Sequence, residues 1–389
     1  MSETGFLRRL SRDLGAVWPS QEQNLILQAI FAPPQPALAA FATWRAALEI
    51  EQPFDHAVMR LLPLLYLRMQ ALGLEDPLMA RLKGVYRRAW SDTHALFYGT
   101  APALAALHAA GIETLLLKGA PMALCHYRNH GARPMADLDI AVHLADAQAA
   151  LQALEGAGWQ PDSPARPEDL TFRHALSLRG PEGHELDLHW HMLFESVGPL
   201  ADAPFWANTQ PLTFRDIPTL CLTPTLNLLH TLAHGLRPNA ETPVRWIADA
   251  VTLLRDPTAT IDWPLFCHTA GALGLNRRVL LALEYLQQNL GQEIPAAATQ
   301  ALRATRRTPA EALELAVIAP HKSRSRPAAF DRCLLLTAEF CRRAQPLPPL
   351  AVLAMFPAFV RYRLGIASWR GVVRGCLRRA GQGLRQAFG

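Results

Sequence analysis

Asp137 and Asp139 stand two residues apart in DLDIA, and a third aspartate, Asp187, sits in the similar setting ELDLH. Both stretches are rich in β-formers, and a strand turns alternate side chains to one face. The spacing therefore predicts that Asp137 and Asp139 project together while Leu138 and Ile140 enter a core. In the second strand Glu185, Asp187, His189 and His191 share one face, and Leu186, Leu188 and Trp190 the other. Three converging carboxylates describe a site for hard divalent cations, which take oxygen ligands. Two such ions held ~3.5–4 Å apart clamp the attacking and leaving oxygens of a phosphoryl displacement. His189 and His191 read as groups that orient the carboxylate or touch a substrate. A zinc site made with Asp187 is the alternative, since imidazole suits zinc, and plain exposure is another reading of His191.

The elements that must hold these residues begin upstream. Ala101 to Ala110 reads as a short Ala-rich helix capped by Gly111, followed by a strand, ETLLLKG. Ala120, Pro121 and Met122 open the next helix, and Pro121 suits a first turn. A strand ending at Gly119 with a helix just beyond it presents backbone N–H groups and a positive dipole end to whatever lies above the strand. A triphosphate fits that place: Gly119 permits close approach to the backbone and Lys118 adds a point charge. Arg133 precedes the Asp-x-Asp strand, which Pro134 holds extended. It reads as a phosphate contact, a group orienting the first carboxylate, or a surface arginine. DAQAALQALEGAGW is a helix ended by Gly156 and Gly158, and TFRHALSL, RGPEGH and ELDLHWHM form a hairpin.

Strand, small-residue turn, helix, a strand with Asp-x-Asp and a later strand with a third Asp together resemble the nucleotidyltransferase superfamily that includes DNA polymerase beta. KG followed by RPMADLDI and then LDLHW is similar to a bacterial branch of uncharacterised nucleotidyltransferases, over roughly Ala101 to Asp249. Superfamily members place Gly-Gly or Gly-Ser where Lys118 and Gly119 stand, and this chain departs from them there. The resemblance implies a metal-dependent transfer of a nucleoside monophosphate from a nucleoside triphosphate to an acceptor hydroxyl, with release of pyrophosphate. Asp137, Asp139 and Asp187 would be both catalytic and metal-holding, with Mg²⁺ or Mn²⁺ as the ion. Lys118, Gly119, Arg133 and His189 would contact the nucleotide. The alternative is an inactive nucleotide-binding or scaffold protein on the same fold. On this reading Asp139→Asn removes one of three crowded carboxylates and leaves stability unchanged or slightly higher.

The expected fold class is α+β: a small mixed β-sheet core at 101–215, between a helical region at 1–100 and a helical domain at 216–345. A Pro-rich join and a basic tail fill 346–389. The second helical part carries LNLLHTLAHGL, which sets His230 and His234 four apart on one helix face. HTLAH lacks the glutamate of HExxH, so a zinc-protease reading fails, and packing toward the active side of the sheet is the alternative. In VRWIADAVTLL, Arg245 and Asp249 are placed to pair along a helix.

Net charge is +5, carried almost wholly by arginine, because Lys83, Lys118 and Lys322 are the only lysines. From Arg361 onward there are seven arginines and no acidic residue. Placed on a helix, Ile366, Trp369, Val373, Cys376 and Leu384 make an apolar stripe, which either docks on the protein or lies on an anionic membrane. Because the basic residues concentrate so late, a small-molecule or protein acceptor is favoured over nucleic acid. Six scattered cysteines without a CxxC pair, and an N-terminus without an apolar signal core, point to a cytoplasmic protein.

Overall fold

The structure is a computed structural model that describes residues 18–48, 54–163, 170, 172–194, 199–237, 244–318, 328–343, 349–364 and 370. The expected amphipathic stripe beyond Arg361 lies almost wholly outside the described residues.

The N-terminal part is helical. Ser20 and Gln23 close a capping box on α1 (Gln21–Phe31), each side chain bonding the other's backbone N–H. There follow α2 (Pro34–Ala46), α3 (His56–Met59), α4 (Leu62–Ala71) and the long α5 (Leu78–Ala109). In α5 the buried residues Leu82, Ala89, Thr93, Leu96, Phe97, Thr100, Ala103, Leu104 and Leu107 recur at threes and fours, giving one buried stripe. The short helix expected from Ala101 is thus the end of a 32-residue helix, which runs through Pro102 and across the expected boundary at 100/101. Its expected cap holds: Gly111 adopts φ 71°, and Ile112 N donates to Leu107 O at 3.1 Å.

The sheet begins with β1 (Leu115–Leu117), which turns into α6 (Gly119–Pro121) and a π-helical turn, Met122–Tyr127. Then come β2 (Asp137–Ala141), α7 (Ala147–Gly156), β3 (Gln160–Pro161), β4 (Ala175–Arg179) and β5 (Glu185–His189). After α8 (Pro199–Trp206), the hairpin of β6 (Thr209–Phe214) and β7 (Ile217–Leu222) completes seven strands in the order β3-β4-β5-β2-β1-β7-β6. The expected boundary at 215/216 falls in the turn of this hairpin. β2 pairs parallel with β5 and β1 parallel with β7, while the other neighbours run antiparallel. The fold is α+β with a mixed sheet, as the sequence led us to expect.

Alternation divides the two faces. Leu116, Leu138, Ile140, Leu176, Leu178, Leu186 and Leu188 pack with α5 and α7. Leu115, Leu117, Ala141 and Leu222 face the other way, into a core shared with α1, α2 and α4 and with the helices after the sheet. Those are α9 (Pro224–Gly235), α10 (Arg245–Arg255), α11 (Trp263–Ala272), α12 (Asn276–Leu290), α13 (Ala296–Ala304) and α14 (Pro309–Ile318), and α15 (Ala328–Arg343) and α16 (Pro349–Leu364) follow them in the chain. Helices therefore cover both faces. Among the described residues no helix is long and apolar enough to cross a membrane.

Candidate metal and nucleotide site

The parallel register of β2 and β5 sets Asp139 level with Asp187, and Ala141 level with His189. Because side chains alternate, Asp139, Asp187 and His189 project from the face opposite Leu138, Ile140, Leu186 and Leu188. One ligating atom from each of these three residues lies within 4.8 Å of the other two. Asp137 stands level with Glu185 at the entrance of β2 and lies outside this group. It lines the neighbouring cavity instead.

Asp139 is 4% exposed. Its Oδ1 receives two donors: Lys118 Nζ at 2.5 Å and His189 Nε2 at 3.0 Å. Burial alone would raise this carboxyl, but the Lys118 charge and the His189 hydrogen bond outweigh it and hold the group well below the usual carboxylate range. For Asp137 the balance is reversed. Burial and the nearby Asp139 charge raise its carboxyl, and Lys118 offsets them only in part. Asp187 Oδ1 accepts a hydrogen bond of 2.6 Å from Ser177, which stands opposite it on β4. The sequence reading passed over Ser177, although the turn at Gly180 to Gly183 would have given the hairpin register that finds it.

His189 is buried, and its Nδ1 has no hydrogen-bond partner among the described residues. Two carboxylates and an imidazole, one of its ring nitrogens unpaired, form a donor set that fits a divalent cation. His191 is neither exposed nor part of this group. Trp190 N and His191 N both donate to His174 O, which breaks the alternation, and His191 Nδ1 meets Asp202 Oδ2 at 2.6 Å in the interior.

Lys118 has φ 51° and ψ −107°, a backbone conformation rare for a side-chain-bearing residue, and this twist ends β1 and starts α6. Gly119 lines the cavity and also makes a close approach within the protein. A Cβ there would come within 2.6 Å of Arg133 Nη1, so its missing side chain makes room for a guanidinium. Arg133 is buried rather than on the surface. Its Nε and Nη2 hold both carboxylate oxygens of Asp249, at 2.9 to 3.1 Å, and Tyr127 donates to the same carboxylate at 3.0 Å. Burial would lower the Arg133 guanidinium, and Asp249 reverses that shift. The expected pairing of Asp249 with Arg245 is replaced by this bidentate one. Arg245 instead donates to Pro134 O, and burial, with Arg133 and Arg60 nearby, lowers it to about 9.

A cavity of ≈ 250 Å³ opens over these groups. Lys118, Arg60 and Arg245 give it cationic walls, Asp137 and Asp139 an acidic floor, and His230 and His234 an imidazole side. The two histidines stack with ring centroids 5.9 Å apart, and His230 Nε2 donates to Met192 O at 3.0 Å. Burial, with Lys118 and His189 adding to it, lowers His230 to about 4, so both its ring and that of His234, also lowered by burial, are neutral near pH 7. Arg60 and Trp246 reach the cavity from segments far apart in the chain, and no local signal marks them.

The model of a family described as uncharacterised nucleotidyltransferases matches residues 56–291, more than half of the chain and a wider span than the resemblance read from the motifs. The crystal structure of an antigenic nucleotidyltransferase-like protein from Paracoccidioides brasiliensis is similar over 55% of this chain and 94% of its own, with 19% identity and a TM-score of 0.34. No curated protein matches.

Proposed function

We propose that this chain, which belongs to the uncharacterised nucleotidyltransferase family, moves a nucleoside monophosphate from a nucleoside triphosphate to an acceptor hydroxyl. The acceptor oxygen forms a bond to the α-phosphorus as the bond to the β-phosphate oxygen breaks, and pyrophosphate leaves. The observation that carries the reading is the close approach of Asp139, Asp187 and His189 beside a cavity with cationic walls.

Asp139 and Asp187, with His189, would hold a divalent ion, and Asp137 would add a carboxylate on the cavity side. A bound Mg²⁺ or Mn²⁺ supplies positive charge to the transferring phosphate and lowers the pKa of a coordinated hydroxyl. An imidazole among the donors favours Mn²⁺ of the two. Ser177 hydrogen-bonds the Asp187 carboxylate, which would take the acceptor proton. Lys118 and Arg245 would neutralise phosphate oxygens, and Arg133, locked on Asp249, shapes the floor rather than reaching the ligand. Because phosphoryl transfer depends chiefly on positioning and charge, this set of groups suffices in kind. The cationic walls support a nucleoside triphosphate as donor, and the sequence reading favours a small-molecule or protein acceptor and a cytoplasmic location.

Incubation with labelled nucleoside triphosphates and Mg²⁺ or Mn²⁺, followed by mass spectrometry of acceptors, tests the reading. A nucleotidylated product is expected from the wild type, and Asp139→Asn should form it on the order of a hundredfold more slowly or worse. The contact of Lys118 with Asp139 favours a second reading, a nucleotide-binding scaffold without chemistry. That reading stands if nucleotide raises the melting temperature of both proteins equally and neither forms product.

A further inference from the structure

The Asp139 carboxylate is required twice. It belongs to the group placed to hold a cation, and it already holds one, because the Lys118 ammonium lies 2.5 Å from its Oδ1. The carboxylate is buried and the lysine side chain is 19% exposed, so Lys118 approaches from the cavity while Asp139 sits at its floor. A divalent ion and an ammonium group at that oxygen repel each other strongly, since both are cations and the site lies away from water. Entry of the ion therefore favours departure of the ammonium. Few partners can then receive it. Among the described residues that line the cavity, the carboxylate besides those of the ion group and the paired Asp249 is Asp137, whose own burial disfavours its charge, and the other charged groups are the cations Arg60 and Arg245 and the Arg133–Asp249 pair. A polyanion in the cavity supplies the missing partner. The lysine backbone, at φ 51° and ψ −107°, holds the side chain over this cavity at the junction of strand and helix.

We propose that Lys118 is an exchangeable counter-ion: it neutralises Asp139 while the metal is absent, is displaced when a divalent ion binds Asp139 and Asp187, and then holds a phosphate of the nucleotide. This rests on the metal and nucleotide reading above and adds a rule to it. Metal alone binds against the lysine and phosphate alone binds against the carboxylate, so each makes room for the other and the two bind cooperatively.

Two binding measurements on the full chain, neither involving turnover, test this. In the first, Mn²⁺ is titrated calorimetrically into the wild type and Lys118→Met. The variant is expected to bind Mn²⁺ about tenfold more tightly, within the range usual for coupled sites. In the second, inorganic tripolyphosphate is titrated in the presence of EDTA into the wild type, Lys118→Met, Asp139→Asn and the double variant. Loss of the lysine should weaken binding at least about fivefold more in the Asp139→Asn background than in the wild type, because only there is the ammonium released. Near-ultraviolet circular dichroism establishes that each variant is folded, and Lys118→Gln replaces Lys118→Met if the latter is not. Equal Mn²⁺ affinity in wild type and variant, or additive effects on tripolyphosphate, overturns the exchange and leaves the transfer reading in place. Failure of every protein to bind Mn²⁺ overturns both.

Discussion

At the scale of single residues, Asp139 sits in an ion-pair network with Lys118 and His189, while its charge still raises the neighbouring Asp137. Sequence alone predicts that Asp139→Asn relieves crowding. In the structure Asp139 is held ionised by Lys118 and His189, so the substitution removes an attraction and leaves the ammonium without its carboxylate. Asp139→Asn is therefore expected to melt below the wild type in metal-free buffer, a reversal of the sequence expectation that a thermal scan decides. The Arg133–Asp249 pair gives a second residue-scale prediction. Both side chains are buried and the contact is bidentate, so Asp249→Ala strands a guanidinium in the interior. Removing one partner of such a pair costs about 3–5 kcal/mol. Urea unfolding should show that loss, and Arg133→Met added to Asp249→Leu should recover part of it, because an apolar pair leaves no unpaired charge.

At the scale of elements, strand register and one helix determine what the site contains. β2 and β5 run parallel and in step, so equal positions on each strand meet, and this brings Asp187 and His189 to Asp139. α9 lays the buried His230 and the half-buried His234 along the cavity, both with their titration lowered by desolvation. Their titration has a definite sign. An unfolded histidine takes its proton near 6.5, whereas His230 does so only at about 4 in the folded protein, so between these values the unfolded chain binds more protons. The contribution of His230 is present above pH 6.5 and is lost as pH falls toward 4, at up to ~1.4 kcal/mol per pH unit. His234, and His174 beside His189, are lowered in the same direction. Denaturant midpoints measured from pH 7 to 5 should fall steeply for the wild type and less steeply for His230→Gln, which keeps a donor for Met192 O but does not titrate.

At the scale of the whole molecule, the helices after the sheet are tied back onto it. Arg343 of α15 donates to Phe172 O at 2.5 Å and Phe194 O at 2.9 Å, on either side of the β4–β5 hairpin. Arg342 bonds the carbonyls of Leu273 and Gly274 and pairs with Glu314, which also holds Arg278. The division into regions at 1–100, 101–215, 216–345 and 346–389 is a proposal about folding units, and the two Arg343 bonds cross it. The tail beyond is a proposal from sequence. Seven arginines without an acidic residue from Arg361 onward, with the apolar residues among them, would on a helix give a surface suited to anionic lipid. Full-length protein is expected to sediment with phosphatidylserine-containing vesicles at low salt and to be released at ~0.5 M salt, where screening is short-ranged. A chain ending at Gly365 should stay in the supernatant in both, and equal sedimentation of the two would remove the tail from the account.

Sequence by itself determined what rests on local periodicity. The two-residue alternation of DLDIA and ELDLH gave the strands, the faces of Asp139, Asp187 and His189, and the α+β class, and Gly111 marked a helix end. These follow from backbone geometry, which repeats along the chain whatever lies around it. Only tertiary structure decided which partner each charged group received. Asp249 took Arg133, which is 116 residues away, rather than Arg245 on its own helix. Gly119 made room for that guanidinium, His191 turned inward to Asp202, and Lys118 settled on Asp139. The pairing of buried charges depends on distances across the fold and on exclusion from water, and neither is written in the spacing of neighbouring residues.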